Sequence, residues 1–219
     1  MLMNAEQARF NMIEQQIRTW EVLDQRVLEL LTEVPREVFV PAEFRRLAFA
    51  DMCIPLGAGE IMMAPKVEAR MLQALAIEPK DGILEIGTGS AYVTALLARL
   101  GSQVTSLEIN PEFTRRAEIL LGRRGITNVK LVVGNAFATH DSGGPYDVIA
   151  VTGSVPILTE HFQQQLALKG RLFIVVGQSP IMDARLITRT GPGAWNSESL
   201  FETDLPQLHG APQPLRFVF

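Results

Sequence analysis

The sequence predicts an α/β fold, an open and mostly parallel sheet with helices on both faces, behind a helical appendage at the N-terminus. Three observations predict it. Apolar runs of strand length alternate with segments of helical period through the middle of the chain. At Leu84 to Tyr92 (LEIGTGSAY) a strand, a tight glycine turn and a helix start follow one another. The run Tyr146 to Thr152 (YDVIAVT) is nearly continuously apolar, as a strand at the centre of a parallel sheet must be.

The elements follow in order. Residues 4–19 read as one helix, with Ala8, Met12, Ile13 and Ile17 along one face. Asp24 is placed to cap a second helix, Gln25 to Glu33, carrying Val27, Leu28, Leu30 and Leu31. Val34, Val38, Phe39 and Val40 then cluster around Pro35 and Pro41. A helix over 65–76 begins with Pro65 in its first turn, where proline is favoured, and lines up Val67, Met71, Leu72 and Leu75. After the strand ending at Ile86, Ala91 to Leu100 is the next helix. Gln103 to Glu108 is the second strand, and Pro111 to Arg124 a helix stopped near Gly125. Val129 to Val133 leads into Gly134-Asn135-Ala136-Phe137. The strand 146–152 closes at Thr152-Gly153-Ser154, and Pro156 to Ala167 reads as a helix. Leu168 to Gly177 is the fifth strand, and Ala184 to Arg189 and Ser199 to Thr203 are strand-like. The order of these last strands does not follow from the sequence. The chain divides into an appendage, 1–55, and a sheet domain, 56–219, built as one structural unit.

Composition narrows the class. The 219 residues are 47% hydrophobic and 20% charged, ordinary for a globular chain with a sizeable core. The formal net charge is −4 with no basic run, so nucleic acid is not an expected partner. Cys53 is the one cysteine, which excludes an intrachain disulfide and agrees with a reducing, cytoplasmic setting. No apolar run approaches the roughly 20 residues that span a bilayer, so no membrane partner is expected. Glu6, Arg9, Glu14 and Arg18 exclude a signal-peptide core in the first twenty residues.

The glycine turn is the candidate site. Gly87 and Gly89 let the backbone turn sharply and let a ligand approach it, and the helix behind offers free N–H groups. Glu85 sits near the carboxyl end of its strand, where open α/β sheets bind ligands. The dinucleotide fingerprint needs a third glycine where Tyr92 stands, which disfavours a nicotinamide or flavin cofactor. Glu108 ends the next strand, 19 residues after Gly89, where an acid accepts hydrogen bonds from both hydroxyls of a ribose. A phosphate-binding turn and a plain strand-to-helix junction are the alternatives.

Acid, glycine turn and second acid together resemble the cofactor site of class I S-adenosylmethionine-dependent methyltransferases. Other stretches sharpen the likeness. Met12 to Arg18 (MIEQQIR), Val34 to Pro41 (VPREVFVP), Leu47 to Asp51 (LAFAD), Ile54 to Glu60 (IPLGAGE) and the pair Ala64-Pro65 resemble protein-L-isoaspartate O-methyltransferases, in register from about residue 9 to about residue 177. The resemblance implies a Rossmann-like, doubly wound, seven-stranded sheet whose late strands form an antiparallel edge. It implies S-adenosyl-L-methionine as cofactor, held by Glu85, Gly87, Thr88, Gly89, Ser90, Tyr92, Glu108, Ile109, Asn135, Ala136 and Thr152. It places Met63 and Lys66 at the acceptor site, and makes the partner a protein or peptide with isoaspartyl residues.

This chain departs from that family in places. The family's threonine-isoleucine-serine run is here Ile61-Met62-Met63, and Lys66 stands where the family has histidine. Both hydroxyls are gone, and two adaptable thioethers make the wall apolar, which disfavours an anionic acceptor by desolvating it. Lys66 would offset that by pairing with the acceptor carboxylate if its amine reached the site. Asn135 replaces the family's aspartate at the adenine, keeping an acceptor without its charge, and Ala91 replaces a frequent glycine, a tolerable extra methyl. His140, His161 and His209 lack metal-ligand spacing and read as structural or solvated. Three readings therefore stand: an isoaspartyl carboxyl methyltransferase, a divergent methyltransferase for a small or apolar acceptor, and a nonenzymatic cofactor-binding protein.

Overall fold

The computed structural model describes residues 5–138 and 144–214. The first helix is not even along its length. α1 (Ala5–Met12) passes into a π turn, Ile13–Ile17, then a 3₁₀ turn, Arg18–Trp20. The wide turn keeps Met12, Ile13 and Ile17 all buried, and Glu21, at φ 61°, ends the run in a left-handed conformation. α2 (Gln25–Glu33) is capped as expected, Asp24 Oδ1 accepting the Arg26 N–H at 2.8 Å. Two 3₁₀ turns, Arg36–Val38 and Ala42–Leu47, carry the proline-rich stretch. β1 (Ile54–Gly57) and β2 (Glu60–Met62) then form a small antiparallel hairpin that the sequence reading did not anticipate. Three- and four-residue strands beside Gly57 and Gly59 are too short to show a period.

The main sheet is built from β3 (Gly82–Ile86), β4 (Gln103–Glu108), β5 (Val129–Val133), β6 (Tyr146–Val155), β7 (Leu166–Gln178), β8 (Ile181–Gly191) and β9 (Ala194–Thr203). Its order is β5-β4-β3-β6-β7-β8-β9; the first five strands are parallel and β8 and β9 run antiparallel to their neighbours. The chain winds from β3 outward through β4 to β5, then returns to β3's other side with β6. That reversal opens a crevice at the carboxyl end of β3, the usual ligand position in such sheets.

Between the strands lie α3 (Pro65–Leu75), α4 (Tyr92–Leu100) and α5 (Pro111–Arg123), α3 and α5 with the expected proline starts. The helix expected over 156–167 is corrected: only α6 (Glu160–Gln163) is helical there. β6 runs on to Val155, which pairs with Val176, and β7 starts at Leu166, which pairs with Tyr146. Ladder pairing and burial of Leu166 outweigh the helical spacing of that segment.

The alternation of the strands separates two cores. Ile83, Val104, Val148 and Phe173 face α3, α4 and the N-terminal layer, with Ile17, Leu31 and Phe39 in the same apolar cluster. Leu84, Ile149, Leu172 and Phe162 face the other side. Arg36 ties the N-terminal layer to this body. Its guanidinium is buried, ion-paired with Glu68 of α3, donates to the carbonyls of Ala48 (2.8 Å) and Met63 (2.7 Å), and lies 5.0 Å over the Tyr92 ring. Among the described residues no helix is long and apolar enough to cross a membrane.

Candidate active site

The site grows from the end of β3. Gly87 has φ 92°, and a Cβ there would sit 2.4 Å from Thr152 Oγ1, so only glycine fits. That hydroxyl donates to the carbonyls of Ile86 (2.9 Å) and Gly87 (2.7 Å), clamping the turn to β6. Gly89 donates its N–H to Glu108 Oε2 at 2.9 Å, and Asn110 donates to Oε1 at 2.8 Å. Glu108 thus locks the turn to the end of β4 and still lines the cleft, with lone pairs left for a ligand's hydroxyls. Ala91, the residue before α4, adopts φ 66°. The extra methyl is housed in the core, but the left-handed backbone costs about 1–2 kcal/mol that glycine would not incur.

The cleft so formed spans about 670 Å³, open to solvent. Gly87, Gly89 and Thr152 make its floor, Glu108, Ile109 and Ala136 one wall, and the segment Pro206 to His209 another. Ile109 is 42% exposed, an apolar side chain left open beside Glu108. The C-terminal segment is bound to β6 by the Ser154 N–H to Pro206 carbonyl and Leu208 N–H to Ser154 carbonyl bonds, each 2.9 Å. His209 Nε2 meets Glu60 Oε1 at 3.0 Å across one end of the cleft. A smaller cleft of about 270 Å³ shares Gly87, Gly89 and Thr152 with the first and is walled by Met62, Met63, Glu68 and Ser90. An open groove between residues 38–43 and α5 leads to the same turn at Gly89 and Ser90, with Arg116 on its border.

The other residues singled out from sequence are distributed unevenly. Thr88 lies in the turn with its hydroxyl 2.6 Å from Ser106 Oγ. Glu85 is fully buried beneath the turn and lines neither cleft; its Oε2 accepts from Thr94 and Ser106, each at 2.6 Å. Burial pushes its carboxyl up to about 8, the two hydroxyls pulling the other way. The chain Thr88–Ser106–Glu85 thus braces the turn from below. Tyr92 is buried too, its ring against Phe39 and Arg36, its hydroxyl pushed up by burial. Asn135 Oδ1 accepts the Phe137 N–H at 2.9 Å, an Asx turn, while its neighbours Gly134 and Ala136 line the large cleft. Met63 is 3% exposed at the small cleft. Lys66 points elsewhere: its ammonium pairs with Asp51 at 2.8 Å and lies 4.0 Å over the Trp20 ring.

His161 bonds the Ala136 carbonyl at 2.8 Å and packs on Phe137 and Phe162, supporting the cleft wall; His140 lies outside the described residues. No cluster of metal-ligating side chains occurs among the described residues. Sequence reasoning missed Glu68, Glu60 and the 206–209 segment. Glu68 had a signal: it is an acid on the apolar stripe of α3, four residues before Leu72 and seven before Leu75.

Residues 7–203 match the model of the family described as protein-L-isoaspartate(D-aspartate) O-methyltransferase. A protein-L-isoaspartate O-methyltransferase of Methanoculleus marisnigri is 39% identical over 184 residues, 84% of each chain. One of Gloeobacter violaceus is 34% identical over 203 residues, 92% of this chain and 99% of its own. Among solved structures, a protein-L-isoaspartate O-methyltransferase of Plasmodium falciparum in complex with S-adenosyl-L-homocysteine superposes with a TM-score of 0.79. It covers 94% of this chain and 98% of its own at 20% identity, a likeness of fold. With a family model over most of its length and relatives above a third identical across nearly all of it, this chain belongs to the protein-L-isoaspartate O-methyltransferase family.

Proposed function

We infer that this S-adenosylmethionine-dependent methyltransferase methylates the free carboxylate of isoaspartyl residues in proteins or peptides, as its relatives' names state for them. The observation that carries the cofactor half is the Gly89 N–H to Glu108 bond. It holds a close-approach turn and a carboxylate in one cleft, the pair an adenosine ribose needs. Glu108 accepts from the ribose hydroxyls, and Ile109 and Ala136 give the adenine ring apolar flanks. Gly87 and Gly89 leave the backbone bare where the cofactor's chain passes.

The cofactor supplies a methyl group already activated on a sulfonium. A carboxylate with an ordinary pKa of about 3.9 is ionised at neutral pH and needs no general base. The protein's task is alignment and exclusion of water. Met62 and Met63 wall the small cleft against water, and the groove between residues 38–43 and α5 meets it at Gly89 and Ser90, an approach for a peptide.

A second reading has its own observation. Met62, Met63 and the acidic residue Glu68 are poor company for an anion, so a different, uncharged acceptor suits this cleft by charge. The deciding assay is methyl transfer to an isoaspartyl peptide beside its normal aspartyl twin. Methylation of the isoaspartyl peptide alone supports the first reading. Cofactor binding without methylation of either peptide transfers weight to the second.

A further inference from the structure

Glu68 is an unusual wall for a cleft that receives a carboxylate. It lines the small cleft opposite the Gly87–Ser90 turn and is 1% exposed. Among the described residues that line the cleft, none is a cation free to offset it. Arg36 is already ion-paired with Glu68 and bonded to the Ala48 and Met63 carbonyls, and Lys66 is engaged outward with Asp51. Of the lining hydroxyls, Thr152 donates to two carbonyls, Thr88 is bonded to Ser106, and Ser90 accepts the Tyr92 N–H at 3.3 Å; Ser90 is left able to donate but brings no positive charge. An acceptor carboxylate entering here meets a like charge in a dry site, and one of the two must be neutralised.

Resting on the isoaspartyl reading above, we propose that Glu68 sets the acceptor preference of this cleft: an anionic acceptor binds only with Glu68 protonated, so its binding takes up a proton at that residue. Arg36 then keeps its charge and becomes the cation that balances the incoming carboxylate. The same residue leaves an uncharged acceptor indifferent to pH.

The groups around Glu68 leave it as the one that titrates. Arg36 faces it from the N-terminal layer and stays charged. The Cys53 thiol, ahead of β1, and the Tyr92 hydroxyl, on α4, are both pushed up by burial and stay neutral through the neutral range. Burial raises the Glu68 carboxyl to about 7, with Arg36 opposing. Protonation is therefore reachable at neutral pH, and ionisation makes the acceptor site unavailable above it.

The test has two arms. In the parent protein, KM for an isoaspartyl peptide is expected to rise about tenfold between about pH 6 and pH 8 with kcat nearly constant, since the competent fraction falls tenfold per unit above the Glu68 value. Glu68→Gln should abolish that rise. Independently of turnover, calorimetry of peptide binding in two buffers of different ionisation heat should show close to one proton taken up near pH 8, and none in Glu68→Gln. A control peptide with the isoaspartyl carboxylate as its amide should show no uptake. Should Glu68→Gln not fold, the parent's KM profile and proton count decide alone. Isoaspartyl turnover whose KM is flat with pH, with no proton uptake, overturns the role of Glu68 and leaves the acceptor reading standing. No binding and no methylation of the peptide at any pH, in either protein, overturns both.

Discussion

Replacing Glu85 by glutamine should change how stability depends on pH more than stability itself. The folded carboxyl stands at about 8 against an ordinary 4.5, chiefly through burial. Its folded value is raised, so its contribution is fully present below about 4.5, declines as pH rises, and is lost by about 8. The displacement corresponds to on the order of 5 kcal/mol, at about 1.4 kcal/mol per unit. Glu68 adds a parallel decline that ends near 7. Glutamine keeps an oxygen for the Thr94 and Ser106 hydroxyls and cannot ionise. Its amide group falls where Glu85 Oε1 is buried with no partner, so a roughly constant loss of about 1–3 kcal/mol is expected at all pH. The assay is urea unfolding of parent and variant from about pH 5 to pH 8. The difference between them should move in the variant's favour by several kcal/mol across that range. Parallel curves would refute the reasoning, showing that Glu85 is ionised throughout or titrates alike in both states.

Three further outcomes follow from the same contacts. Glu108→Ala should weaken S-adenosyl-L-homocysteine binding by about 1.5–3 kcal/mol in calorimetry, with the domain still folded; equal affinity would remove Glu108 from the cofactor's contacts. Arg36→Ala should cost about 3–5 kcal/mol in chemical denaturation, because Glu68 is left buried without its partner; a loss under 1 kcal/mol would mean that water replaces the guanidinium. Lys66→Ala should lose no more than about 1 kcal/mol and leave isoaspartyl turnover unchanged, since the ammonium is engaged by Asp51 and Trp20; abolished turnover would place it at the acceptor after all.

Much of the architecture was legible because it depends on local signals. Pro65 and Pro111 sit in the first turns of α3 and α5 and Asp24 caps α2, signals read within a few residues, and the nearly unbroken apolar run at 146–152 suits a sheet interior. The glycine turn was legible for the same reason: a φ of 92° at Gly87 is a property that one residue type supplies. The acid at 108 was legible from spacing alone, since a strand and a helix of ordinary length bring it beside the turn.

What depends on distant partners was not legible. The segment 156–167 carries helical spacing, yet β6 runs up to its start at Val155 and β7 claims its end from Leu166. Glu85 and Lys66 have the right chemistry at the right places in the sequence. Their side-chain directions were settled by Thr94 and Ser106 in one case, and by Asp51 and Trp20 in the other. The sequence by itself determined the fold class, the glycine turn and the acid beside it, because each is specified within a few dozen residues. Only the tertiary structure decided the wall of the small cleft, because Arg36 and Glu68 lie 32 residues apart and acquire their pairing, burial and altered acidity only when the N-terminal layer closes on α3.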